Sequence, residues 1–222
     1  GFPGDVEVKV MYTWTDDNLL IIEHQSVTDE DTFLNMTCHA YLNLSGKETE
    51  IYEHLLEIPS SQILETTDEY IPTGKLLYVE DTPFDFQKLR RIGVIENIDN
   101  ESISQNRGYN HCYSLLHTPI CQQKLHQAAL LQESTSGRKL QVCTSLPGVL
   151  IYSAGFLPHP STGICFETQY WPDTPNHPEF PSCLLRKGET YHETTVFYFS
   201  TSNSQMEGAA DAPLMFKRTF EA

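Results

Sequence analysis

Strict alternation is the feature that most constrains this chain. Val6, Val8, Val10 and Tyr12 recur at every second position with polar neighbours between them. That period puts the apolar set on one face of a pleated strand and is incompatible with a helix. Asp16-Asp17-Asn18 follows as a turn cluster, and Leu19 to Gln25 resumes the pattern, so the first 28 residues read as a β-hairpin. Gln127 to Ser134, the turn Ser136-Gly137-Arg138 and Lys139 to Thr144 read as a second hairpin. Glu189 to Ser200 is a long β-rich run, and Glu50 to Leu56 is too short in its helical pattern to be more than a turn. Many short strands with Pro and Gly at the joints predict an all-β sandwich or barrel. No internal repeat is evident.

Charge narrows the ligands. Lys and Arg number 14 and Asp and Glu 30, a net −16, which repels nucleic acid phosphates and anionic lipid and leaves neutral ligands unaffected. At 39% hydrophobic and 20% charged residues, the chain has the makings of a folded core. No apolar run approaches the ~20 residues of a membrane helix. The chain begins Gly-Phe-Pro-Gly-Asp without a Met, which predicts that the protein's true start lies upstream or has been removed. The six cysteines form no Cys-x-x-Cys pair, which argues against a zinc knuckle, and the leading expectation is free buried thiols in a reducing compartment. An even count also permits three disulfides. Asn35, Asn43 and Asn100 begin glycosylation sequons that matter only if the protein is secreted.

Three segments carry polar groups suited to chemistry. If Asn35 to His39 is a strand, residues 35, 37 and 39 present an amide, a hydroxyl and an imidazole on one face. Glu167 lies between apolar neighbours in Cys-Phe-Glu-Thr-Gln, where desolvation raises a carboxyl pKa toward the range of a general base. Trp171 to Pro178 holds three prolines in eight residues, excludes regular structure, and suits the wall of a cleft. Each has a blander reading: a hydrogen-bonded loop histidine, a carboxylate paired with a cation, a rigid surface loop.

Seven segments in order, NMTCHAYLNLSG (35–46), IPTG (71–74), DTPFDF (81–86), GYNH (108–111), SGRKLQV (136–142), PGVL (147–150) and FETQYWPDTPNHPEFPS (166–182), resemble those of the aldose 1-epimerase (galactose mutarotase) family. The resemblance implies a large antiparallel β-sandwich of the galactose mutarotase-like supersandwich type over residues 1–200. It leaves residues 201–222 outside the family pattern; their own composition, small and polar and then briefly apolar at Leu214-Met215-Phe216, predicts a tail whose end docks on a surface. It implies anomer interconversion of hexoses such as galactose and glucose, with no metal and no organic cofactor. By the same resemblance Glu167 is the base that takes the C1 hydroxyl proton and His39 the acid that protonates the ring oxygen. Asn110, His111, Tyr152 and Gln169 fall at sugar-binding positions, and the location implied is cytoplasmic.

The sequence also departs from the family pattern. Asn110 stands for an Asp, Leu150 for a Gln, Cys38 for an Asn and Gly155 for an Asn, and the loop Leu157 to Gly163 is short. The family's N-terminal strands, with a sugar-binding Arg and a second His, are not matched here. The expectation is an N-terminally truncated sandwich whose exposed edges are covered by a separate N-terminal chain or a second copy. These departures keep open an alternative: a catalytically inactive descendant with a structural, storage or carbohydrate-binding role.

Overall fold

The computed structural model describes residues 1–121 and 125–202. In chain order its strands are β1 (Val6–Trp14), β2 (Leu19–Thr28), β3 (Thr32–Phe33), β4 (Leu55–Glu57), β5 (Gln62–Thr66), β6 (Pro72–Tyr78) and β7 (Arg90–Arg91). They continue with β8 (Asn110–Ser114), β9 (His126–Gln132), β10 (Arg138–Thr144), β11 (Gly148–Tyr152), β12 (Cys165–Gln169), β13 (Leu184–Leu185) and β14 (Thr190–Thr201). A single short α-helix among the described residues, α1 (Glu101–Gln105), starts where the Asn100 side chain accepts from the Ile103 N–H.

Two antiparallel sheets face each other. One runs β1-β2-β14-β10-β9-β4-β7 and the other β12-β11-β8-β5-β6, with β13 and β3 as a separate pair. Both expected hairpins form. β1 pairs with β2 from Val6 opposite Thr28 to Trp14 opposite Leu20, and β9 pairs with β10 across the Ser136-Gly137 turn. The Glu189 to Ser200 run forms β14, which lies between β2 and β10. The turn expected at Glu50 to Leu56 instead ends in β4, because Leu55 and Leu56 continue the sheet beside β9.

The core fills the space between the sheets. Ile22, Leu131, Leu140, Val142 and Phe197 from one side meet Tyr113, Val149, Ile151 and Phe166 from the other, each 2% exposed or less. Burial of one such side chain stabilises by roughly 1.5–3 kcal/mol, and Phe166→Ala would cost about 3–5 kcal/mol through the cavity it leaves. A line of hydroxyls crosses this apolar layer. Thr195 Oγ1 lies 3.0 Å from Thr144 Oγ1 and 2.6 Å from Thr168 Oγ1, linking β10, β14 and β12.

The register of β1 continues the inner face of its sheet, so Val8, Val10, Tyr12 and Trp14 point the same way as buried His24 and Ile22. No layer among the described residues covers them fully, and they remain 43%, 38%, 62% and 60% exposed.

Cys121 and Cys143 are joined in a disulfide, which corrects the expectation of free thiols for that pair; Cys38, Cys112, Cys165 and Cys183 are free. The strand register explains the pair, since Cys143 points away from the core into an outer apolar cluster with Ile21, Val196 and Leu125. The sequon amides are engaged: Asn35 Nδ2 donates to Tyr170 O, and Asn43 Nδ2 donates to Thr49 O and Thr162 O. No helix among the described residues is long and apolar enough to cross a membrane. The expected tail at 201–222 lies, from residue 203 onward, outside the described residues.

Candidate active site on the outer face of the five-stranded sheet

Alternation along β12 sorts its side chains. Phe166 and Thr168 enter the core, while Cys165, Glu167 and Gln169 face outward. Register carries the same outward face across the sheet. Leu150 lies opposite Glu167 and Tyr152 opposite Cys165 on β11, and Cys112 and Asn110 follow on β8. The outward face therefore assembles Glu167, Gln169, Tyr152 and Asn110 beside two apolar side chains, Leu150 and Cys112.

The segment bearing His39 is laid over this face. Leu42 exchanges both backbone hydrogen bonds with Ile164, at 2.9 and 3.0 Å, and Asn35 pairs through both side-chain atoms with the backbone of Tyr170. Residues between these ties form no regular strand, which corrects the expectation for 35–39. Asn35 is thus a fastener for the loop, and Thr37 turns its Oγ1 into a buried position without a partner among the described residues. Only His39 of the three reaches the site.

His39 Nε2 lies 3.4 Å from Glu167 Oε1, and His39 Nδ1 lies 3.3 Å from Cys165 Sγ. The thiol fits as a donor to Nδ1, which leaves Nε2–H facing the carboxylate. The His39 side chain is 50% exposed and that of Glu167 12%. Tyr41 and Tyr152 edge the imidazole, with ring centroids 5.1 and 6.0 Å away. Tyr152 Oη also accepts from the Phe156 N–H. Burial beside Leu150 and Cys112 pushes the Glu167 carboxyl above the usual carboxylate range, and the imidazole pulls it partly back. Burial, with Glu167 and Cys38 adding to it, pushes the Cys165 thiol up to about 12.

The proline-rich loop walls this face, as its composition predicted. Trp171 Nε1 donates to Pro147 O, and the indole packs with Phe180, Leu64 and Cys112. It comes so close to Gly148 that a Cβ there would meet Trp171 Cδ1 at 2.8 Å. Prolines confine the loop to a 3-10 turn at Thr174–Asn176.

His111 is the exception among the expected sugar-binding residues. It lies on the opposite face of β8 from Asn110, is 4% exposed, and has both ring nitrogens engaged. Nδ1 accepts from the Asn110 N–H, and Nε2 lies 2.8 Å from Ser102 Oγ on α1. Burial lowers its pKa to about 4, so it is a neutral structural imidazole. Two contacts of the site were absent from the sequence reading, Cys165 and Tyr41. Each lies two residues from a named candidate and could have been found from the period of an extended chain.

The sequence profile of the aldose 1-epimerase family matches residues 1–198. Galactose mutarotase of Mus musculus is 36% identical over 214 residues, 91% of this chain and 60% of that protein. Aldose 1-epimerase of Escherichia coli is 33% identical over 90% of this chain and 60% of its own length. The galactose 1-epimerase structure from Lactobacillus acidophilus superposes with a TM-score of 0.78 at 25% identity, covering 90% of this chain and 58% of the other. An aldose epimerase homologue from C. elegans gives 0.76 at 29%, with 91% and 62% covered. The chain thus spans about 60% of the length of these curated relatives. With the profile spanning nearly all the described residues and the antiparallel sandwich in agreement, the chain belongs to the aldose 1-epimerase family.

Proposed function

We propose that this chain interconverts the α and β anomers of a hexose of the galactose or glucose type by general acid and base catalysis, with Glu167 as base and His39 as acid. The observation that carries the reading is the partly desolvated Glu167 carboxyl with an imidazole at 3.4 Å. The two reacting oxygens of a hemiacetal share one carbon, so a base and an acid a few ångströms apart can address both. Glu167 removes the C1 hydroxyl proton while His39 protonates the ring oxygen, and the ring bond breaks. C1 rotates, and the two groups exchange roles on closure. A raised carboxyl pKa strengthens the base, and the sugar displaces the direct His39–Glu167 contact on entry. Asn110, Tyr152 and Gln169 are the proposed hydroxyl partners. A neutral sugar suits a chain of net charge −16.

One observation favours a second reading, an inactive sugar-binding or structural descendant. Leu150, directly across from Glu167, offers no hydrogen bond to a hydroxyl, and one such loss costs roughly 1–3 kcal/mol. Polarimetry on freshly dissolved α-D-galactose and α-D-glucose separates the two. Faster mutarotation than buffer supports catalysis, whereas a buffer rate with sugar binding intact supports the descendant.

The inner face of β1, left partly open among the described residues, supports a partner at this edge; of the two expected, a separate N-terminal chain and a second copy of this chain, the second is the one that purified material can show. Light scattering on the purified chain should give a dimer mass; a clean 25.3 kDa species would remove this part of the reading.

A further inference from the structure

Within 4.8 Å of one another lie one donor atom each from His39, Cys165 and Glu167, a nitrogen, a sulfur and an oxygen. We propose that this triad is a binding site for a soft divalent cation of the zinc class, which occupies the site in competition with sugar. The inference rests on the geometry of the triad and not on whether the chain turns over sugar, although its consequence for activity rests on the reading above.

Donor separations in a tetrahedral zinc site with nitrogen, sulfur and oxygen ligands are roughly 3.3 to 3.6 Å, given bonds of about 2.0–2.3 Å. The contacts here are 3.3 Å from Cys165 Sγ to His39 Nδ1 and 3.4 Å from Glu167 Oε1 to His39 Nε2. A single metal takes only one of the two ring nitrogens, so the imidazole must turn toward the other two donors. Its side chain is half exposed and makes no hydrogen bond besides these among the described residues, which leaves it that freedom. Cys165 and Glu167 need no search for position, because two-residue spacing on β12 already projects both from one face.

Ligand chemistry sets the cation. A thiolate with an imidazole selects zinc or its neighbours over magnesium or calcium, which prefer all-oxygen cages. Binding forms bonds to sulfur, one ring nitrogen and a carboxylate oxygen. The thiol proton passes to solvent, and no electron changes hands. Three protein ligands leave a fourth position for water or a sugar hydroxyl. A cation so placed holds the proposed base and acid together and withholds both from a hemiacetal.

Cobalt(II) is the probe, because bonding to sulfur gives a charge-transfer band in the near ultraviolet. Titration of the whole chain in anaerobic buffer should produce this band with one-to-one stoichiometry, and added zinc should remove it. Cys165→Ser should abolish the band, and His39→Gln and Glu167→Gln should each weaken cobalt binding at least about 10-fold, in line with lost ligation. Cys183→Ser should leave the titration unchanged. Circular dichroism matching the parent certifies each variant as folded. Absence of the band at saturating cobalt, or a band that survives in folded Cys165→Ser, would overturn the proposal. The assay contains no sugar, so a chain that binds cobalt without catalysing mutarotation refutes the functional reading alone.

Discussion

Two regions of this molecule hold a glutamate in nearly opposite ways. At the β9–β10 hairpin, Glu133 Oε1 accepts from the Thr135 N–H at 2.9 Å and Oε2 from the Ser136 N–H at 2.6 Å. The Ser136 hydroxyl and these amides hold its pKa down to about 2. On β12, Glu167 faces Leu150 across the strand pair and has one imidazole as its ionic partner among the described residues, and its pKa rises. The first environment is built around the charge and stabilises the turn. The second tolerates the charge at a cost to stability and keeps it reactive. Groups strained in this way are the ones a site can use.

Glutamine at each position gives the sharpest test of that contrast. Glu167→Gln should lower the mutarotation rate by about 100- to 10,000-fold, the usual worth of a general base, whereas Glu133→Gln should leave kcat within a few-fold. An unaffected rate in Glu167→Gln would sink the base assignment.

The next effect concerns Leu150→Gln. Restoring a hydrogen-bonding side chain beside the carboxylate should raise kcat/KM by roughly 10-fold, since such a contact contributes about 1–3 kcal/mol. It should also move the acid limb of the pH–rate profile downward, because a hydrogen bond to the charged form favours that form. In the parent, kcat/KM should rise with pH through a limb above the usual carboxylate range of about 4.3. A parent limb at or below that value would remove the desolvation argument.

Stability should then change with opposite signs. Glu133 has a depressed folded pKa, so its contribution is complete above about pH 4.3 and is lost as pH falls toward 2. Glu167 has a raised one. Its ionisation therefore destabilises the fold progressively as pH rises from about 4.3 through the folded value. At neutral pH, Glu133→Gln should lower the urea midpoint, in line with a loss of about 1 kcal/mol of stability. Glu167→Gln should leave the midpoint unchanged or higher. Two losses of equal size in urea titrations would erase the distinction.

Much of the architecture was legible from alternation, because period 2 is a local property that survives any partner. Both hairpins and β14 follow from it. β4 did not, since Leu55 and Leu56 become a strand only beside β9, a neighbour more than 70 residues away in sequence. The site was legible in part. Glu167, Tyr152, Gln169 and Asn110 share one face through strand register, and His39 is delivered to it by the Leu42–Ile164 bridge. His111 could not be placed, because adjacent strand residues point to opposite faces and the segment GYNH does not say which one meets the cleft. The Cys121–Cys143 bond was equally hidden, as it depends on a loop residue before β9 meeting an outward position of β10.

The three threonine hydroxyls that cross the core have a mechanical consequence. Stacked sheets held by apolar contact alone are located against one another only by the interlocking of their side chains. Thr195 in the middle of one sheet grips Thr168 on an outermost strand of the other, and Thr168 is the residue next to Glu167. That contact ties the strand carrying Glu167 to the opposite sheet, so it opposes sliding of one sheet over the other beside the base.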